Sequence, residues 1–152
     1  MGKQLDSLYA IALLGILIHE RKEGDFLGEI LQQYSEKRTP FFSTMDLIKK
    51  MEAFYEEWDY PESSTRDRSF QKKQKFVYPD RRGKKPLSEA ARDLQKFPIT
   101  KERGRLGSFF VHTKFRQNAS WQGDVYHGED GTCYSFSSLL SLLQIMEREC
   151  GE

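Results

Sequence analysis

The sequence predicts an α+β domain in which two diverged β-β-β-α units, joined by a basic and partly helical insert, form an antiparallel sheet with helices on one face. Three observations predict it: a gapless match of the chain to itself, an alternation of apolar residues after position 107, and an apolar helical stripe at the end of each half. The boundaries fall at 1–60 for the first unit, 61–105 for the insert and 106–152 for the second unit, all within one compact domain.

With a constant offset of 95, residues 13–52 lie over residues 108–147. Arg21 meets Arg116, Gly28 meets Gly123, Phe41 meets Phe136, Ser43 meets Ser138, Leu47 meets Leu142, Met51 meets Met146 and Glu52 meets Glu147. These are 7 identities in 40 positions, where ordinary residue usage gives roughly 2 or 3. The substitutions agree in character: Phe26 faces Trp121, Glu29 faces Asp124, Ile30 faces Val125, Met45 faces Leu140 and Ile48 faces Leu143.

The second unit is the easier to read. Ser108 to Arg116 is rich in aromatic and β-branched residues, with Phe109, Val111, Thr113 and Phe115 on one face of a strand. Gln117-Asn118-Ala119 forms a turn, and Trp121, Gly123 and Val125 alternate with Gln122, Asp124 and Tyr126 in a second strand ending at His127. Gly128-Glu129-Asp130-Gly131 is a hairpin turn leading to a short strand, Thr132 to Phe136. Ser137 or Ser138 then caps a helix whose Leu139, Leu142, Leu143 and Met146 share one face, and Trp121 is expected in the core with Leu142 and Met146. In the first unit the residues up to Arg21 form strand one, Lys22-Glu23-Gly24-Asp25 the turn, and Phe26 to Gln33 strand two. Ser43 caps a helix carrying Leu47, Ile48, Met51, Phe54 and Tyr55, whereas residues 5–18 suit a strand or a helix equally.

Of the 152 residues 38% are apolar and 13% aromatic, enough for one core and too much for disorder through most of the length, despite 31% charge. The run from Leu8 to Ile18 is shorter than the roughly 20 residues a membrane helix needs. Lys3 is balanced by Asp6, and His19-Glu20-Arg21-Lys22 stands where a signal peptidase would need small residues. Cys133 and Cys150 have neither metal-binding nor disulfide-framework spacing, so both are expected as reduced thiols in a soluble, cytoplasmic protein without membrane association.

The net charge of +1 conceals a partition. The first unit holds 7 basic and 11 acidic residues (−4), the insert 14 and 6 (+8), and the second unit 3 and 6 (−3). The insert contains Lys72-Lys73-Gln74-Lys75 and Arg81-Arg82-Gly83-Lys84-Lys85, with Pro79, Pro86 and Pro98 nearby, and reads as short helices between solvated loops that bury little. Ser64-Thr65-Arg66-Asp67 has the form of a capping box opening a helix through about Lys75, and Ser88 precedes a second helix-forming stretch.

At Phe115-Arg116-Gln117-Asn118-Ala119-Ser120-Trp121-Gln122-Gly123, and in the helix after Phe136, the chain resembles a group of short, uncharacterised proteins of Firmicutes, clostridia above all. The resemblance is clearest over residues 108–149; Phe136-Ser137-Ser138 lacks the arginine the group has before its terminal helix. It implies a bacterial origin and residence in accessory or mobile-element genes, and brings no established activity with it. The same stretch satisfies the [DN]xSxxG signature of PilZ domains, which bind cyclic di-GMP. Arg103 and Arg105 have the wrong spacing for the arginine pair of that family, and the 29 residues after Gly123 are too few to complete its barrel. Turn bonding by Asn118 and Ser120, core packing by Trp121 and close approach at Gly123 explain the motif structurally.

Catalytic constellations are sparse. His112 and His127 fall on adjacent strands without a third ligand at a recognisable spacing and read as sheet histidines, and there is no P-loop or dinucleotide glycine fingerprint. Asn118-Ala119-Ser120 is a glycosylation sequon without meaning in a bacterial cytoplasm. No metal and no cofactor is expected. The leading expectation is a non-enzymatic protein whose basic insert contacts an anionic macromolecule, either nucleic acid or a nucleic-acid-binding complex, in the manner of accessory-gene inhibitors of host defence such as anti-CRISPR proteins. The contact residues on this reading are Arg66, Arg68, Lys72, Lys73, Lys75, Tyr78, Arg81, Arg82, Lys84, Lys85, Arg103, Arg105 and Arg116. A solvated linker is the bland alternative for the same charge run. Two further readings are an RNA or single-strand binder using the sheet face of Phe110, His112, Lys114, Arg116 and Tyr126, and a cyclic-dinucleotide sensor.

Overall fold

The computed structural model describes residues 12–58, 60, 97–117 and 120–150. The fold is α+β, with six antiparallel strands and two helices among these residues. In chain order they are β1 (Leu14–Lys22), β2 (Asp25–Gln32), β3 (Ser35–Phe41), α1 (Thr44–Trp58), β4 (Gly107–Gln117), β5 (Ser120–His127), β6 (Cys133–Phe136) and α2 (Leu139–Glu149). The sheet order is β3-β2-β1-β4-β5-β6, so the first strands of the two units pair in the middle and the third strands form the edges. No described helix is long and apolar enough to cross a membrane.

Local chemistry accounts for the boundaries. β1 runs to Lys22, one residue beyond the expectation, because the turn is only Glu23-Gly24, both at positive φ (51° and 88°), the conformation of a two-residue hairpin turn. Residues 14–18 are strand rather than helix, with every residue from Leu14 to Ile18 buried, as befits a central strand covered on both faces. The Ser43 hydroxyl accepts from the Asp46 amide at 3.0 Å at the start of α1, and Ser138 and Ser141 form a reciprocal capping box at the start of α2.

The strand registers of the two units coincide under the offset of 95. Ile16↔Ile30 corresponds to Val111↔Val125, Ile18↔Gly28 to Thr113↔Gly123, and Gly28↔Phe41 to Gly123↔Phe136. The irregularity between Ile18 and Glu20 recurs between Thr113 and Phe115. In the centre, Leu14↔Val111 and Ile16↔Phe109 exchange under the same offset, which puts a pseudo-two-fold axis at the Gly15↔Phe110 pair.

Both helices lie over the outer strands, towards the two sheet edges. They share a face, because Leu47, Met51 and Tyr55 of α1 and Leu142, Ile145 and Met146 of α2 belong to one cluster with Leu14, Ile16, Ile18, Phe109, Val111 and Trp121. The end of α1 crosses the axis: the Tyr55 hydroxyl bonds Thr113 Oγ1 at 2.8 Å, and its ring meets the Trp121 ring edge-on at 5.3 Å. Each unit therefore completes the other's core.

The repeated bulge overturns one expectation. Phe115 does not continue the inward face of Phe109, Val111 and Thr113 but is half exposed, and Arg116 takes the inward place, 4% exposed. An extra residue in a strand reverses the parity of everything after it. The insert also buries more than expected. Ile99 joins Leu13, Leu17, Leu31 and Phe110 in a second cluster on the sheet face away from the helices, and the Phe97 amide donates to the Gln33 carbonyl at 2.6 Å.

Candidate functional sites

Residues 61–96 lie outside the described residues, and with them Arg66, Arg68, Lys72, Lys73, Lys75, Tyr78, Arg81, Arg82, Lys84 and Lys85. Of the expected contact residues the structure places three. Arg103 donates to the carbonyls of Thr100 and Glu102 and lies over the Phe110 ring at 5.9 Å. Arg105 is exposed, with its amide donating to His19 Nδ1 at 3.2 Å. Arg116 is interior: Nη1 lies 3.3 Å from Glu52 and 3.0 Å from Glu56, and the guanidinium covers the Tyr55 ring at 5.6 Å. Burial holds Glu52 above the usual carboxylate range, a rise that Arg116 opposes and Glu56 reinforces. Its counterpart under the offset, Arg21, pairs in the same way with Glu147 of the other unit. These two arginines clamp the units together.

The sheet face away from the helices does not form the continuous aromatic and cationic surface expected of it. Phe110 is fully buried beside Ile99, and Arg116 is on the opposite face for the reason above. His112, Lys114 and Tyr126 do lie there, with Asp124, Cys133 and Ser135. Lys114 Nζ sits 2.9 Å from Asp124, the geometry that His19 and Glu29 adopt at 3.3 Å in the first unit, where Arg38 replaces Cys133 and pairs with Glu29 at 3.0 Å and Glu102 at 2.8 Å. Burial raises the Cys133 thiol, the wrong direction for a nucleophilic thiolate. Burial, with Cys133 beside it, pushes Tyr126 up to about 12, and burial together with Lys114 lowers His112. The groups therefore stay neutral or internally paired, an arrangement suited to a structural polar layer.

The expectation for His127 missed three carboxylate neighbours. His112 and His127 are on opposite faces, and His127 stacks on Phe109 at 5.4 Å. Its Nδ1 is 3.0 Å from Asp130 and its Nε2 3.2 Å from Glu129, whose carboxylate is held by the Ser108 amide and hydroxyl. Glu149 arrives from the end of α2, so that His127, Asp130 and Glu149 each bring a ligand atom within 4.8 Å of the others. Nitrogen and carboxylate donors at that spacing are those a divalent cation takes. Here each already has a counterpart: Glu149 pairs with Arg148 at 2.9 Å, and Asp130 accepts from the Thr132 amide at 2.9 Å. Only Glu129 and Asp130 are near His127 in sequence, and a carboxylate 22 positions away gives no local signal.

No family model, no curated protein and no solved structure matches this chain.

Proposed function

We propose that this is a non-enzymatic binding protein that contacts an anionic macromolecule, nucleic acid or a nucleoprotein complex, through its basic insert. The charge partition carries the reading, with +8 on residues 61–105 between units of −4 and −3. The folded units add weight because much of their positive charge is already engaged. Arg21, Arg38, Lys50, Lys114, Arg116 and Arg148 each face a carboxylate. Phe70, Phe76 and Tyr78 interleave with its lysines and supply stacking groups that a plain linker does not need. On this reading the protein is a bacterial accessory-gene product acting in the cytoplasm, and inhibition of a host defence of the anti-CRISPR kind is a role that needs binding and no chemistry.

The test is charge reversal of Arg81, Arg82, Lys84 and Lys85 to glutamate, with gel shifts on RNA and DNA between about 50 and 200 mM salt. The variant is expected to fold like the parent and to bind much more weakly, with a shallower salt dependence. Equal binding at low salt refutes the proposal.

A further inference from the structure

We propose that the notch where β1 outruns β4 is a phosphate-binding cleft that seats a backbone phosphate of nucleic acid drawn in by the basic insert. The inference rests on the function proposed above and adds residues outside the insert to it. Pairing of β1 with β4 ends at Ile18↔Gly107, so Glu20, Arg21 and Lys22 pair with β2 on one side and have no β4 partner on the other. The end of the insert lies against that open side. The Leu106 amide donates to the Ile18 carbonyl at 2.8 Å, and the Arg105 amide to His19 Nδ1, which anchor Arg105 beside the end of β1.

Between them is a cleft of about 260 Å³ lined by Glu20, Arg21, Lys22, Arg105 and Leu106. Three basic residues and one acid line it, and one of the three, Arg21, is already paired. The Arg21 guanidinium is held in place by Glu147 and by the Phe26 ring at 5.3 Å. Lys22 and Arg105 are exposed, and among the described residues neither pairs with a carboxylate. Two guanidinium side chains and one ammonium side chain belong to the residues that line it, from two backbone segments, and phosphate, an oxyanion with several acceptor oxygens, matches the planar fork of arginine. The volume is below the roughly 300 Å³ at which pockets for drug-sized ligands begin. It is ample for a phosphate group. Glu20 opposes an anion, which makes its removal a test in the direction of gain.

The experiment uses the full chain with labelled single-stranded RNA and duplex DNA between about 50 and 200 mM salt. Replacing Lys22 and Arg105 together by alanine is expected to weaken binding about tenfold and to flatten the salt dependence by about two phosphate contacts. Glu20→Gln is expected to tighten binding severalfold, which a merely structural role for this corner would not do. If the double variant and Glu20→Gln bind as the parent does while the insert reversal has lost binding, the cleft is refuted and the proposed function stands. If the parent binds neither nucleic acid, direct nucleic-acid binding fails as the proposed function, and the cleft is decided by NMR titration with inorganic phosphate. Saturable shifts at the Lys22 and Arg105 amides, lost in the double variant, uphold it as a phosphate site; their absence overturns it.

Discussion

Gly28 and Gly123 occupy equivalent places opposite the bulges of β1 and β4, and replacing either by alanine should be among the most damaging small changes in the molecule. A Cβ at Gly28 would stand 1.8 Å from the Leu17 carbonyl oxygen, and one at Gly123 would stand 2.1 Å from the His112 carbonyl oxygen. Cβ contacts essentially never fall under 3.0 Å, so the strands must part by roughly 1 Å, and the obstructing atoms are backbone that cannot swing aside. An opening of that size takes ladder bonds near 2.9 Å out of hydrogen-bonding range. Losing about two bonds at about 1 kcal/mol each, with about 1 to 3 kcal/mol of overpacking, gives a cost of about 3 to 5 kcal/mol. For a chain of this length that lowers Tm by roughly 6 to 20 °C. Thermal and denaturant unfolding of both variants measure it, with two internal comparisons. Gly24→Ala meets nothing within 4 Å and suffers only its φ of +88°, at about 1 kcal/mol. Gly15→Ala meets the Phe110 ring at 3.2 Å, a side chain that can yield, and should fall between. If Gly28→Ala and Gly123→Ala unfold no earlier than Gly24→Ala, the close strand approach at the bulges is wrong.

Trp121→Ala removes a 3% exposed ring packed on Tyr55 and should destabilise by about 3 to 5 kcal/mol in denaturant titration; an unchanged midpoint removes Trp121 from the core. His112 is half-buried, and desolvation, with Lys114 beside it, lowers its pKa in the folded state, so the unfolded chain binds its proton more tightly. The sign follows from linkage: stability is lost as pH falls below the unfolded value near 6.5 towards the lower folded one. His112→Leu, the residue type found at the equivalent Leu17, should flatten the decline in Tm between about pH 7.5 and 5.5, and an equally steep decline would contradict the assignment.

The division between local and tertiary information shows at particular residues. The apolar period of two in Phe109, Val111 and Thr113, the serines before each helix and the turn residues Glu23-Gly24 are legible because each acts within a few positions of itself. The offset of 95 is equally legible, and the matching registers of the two units follow it residue by residue. Trp58, buried at the end of α1, extends the stripe one turn beyond the residues that the repeat suggested.

What the sequence by itself determined, then, was the kind of each element, its cap, its inward face as far as the bulge, and where the charge lies along the chain. Only the tertiary structure decided that β1 pairs with β4 and that β3 and β6 are left as edges, since strand order depends on which buried faces combine across about ninety residues. The bulge was equally invisible, because Gly28 and Gly123 permit the close approach but do not mark which residue of the facing strand is extra, yet it turns Phe115 outward and carries Arg116 into the interior with Glu52 and Glu56. The same holds for Glu149 beside His127 and for Arg105 beside Lys22. Such neighbours are fixed by packing between distant segments, and no periodicity along a single strand encodes them.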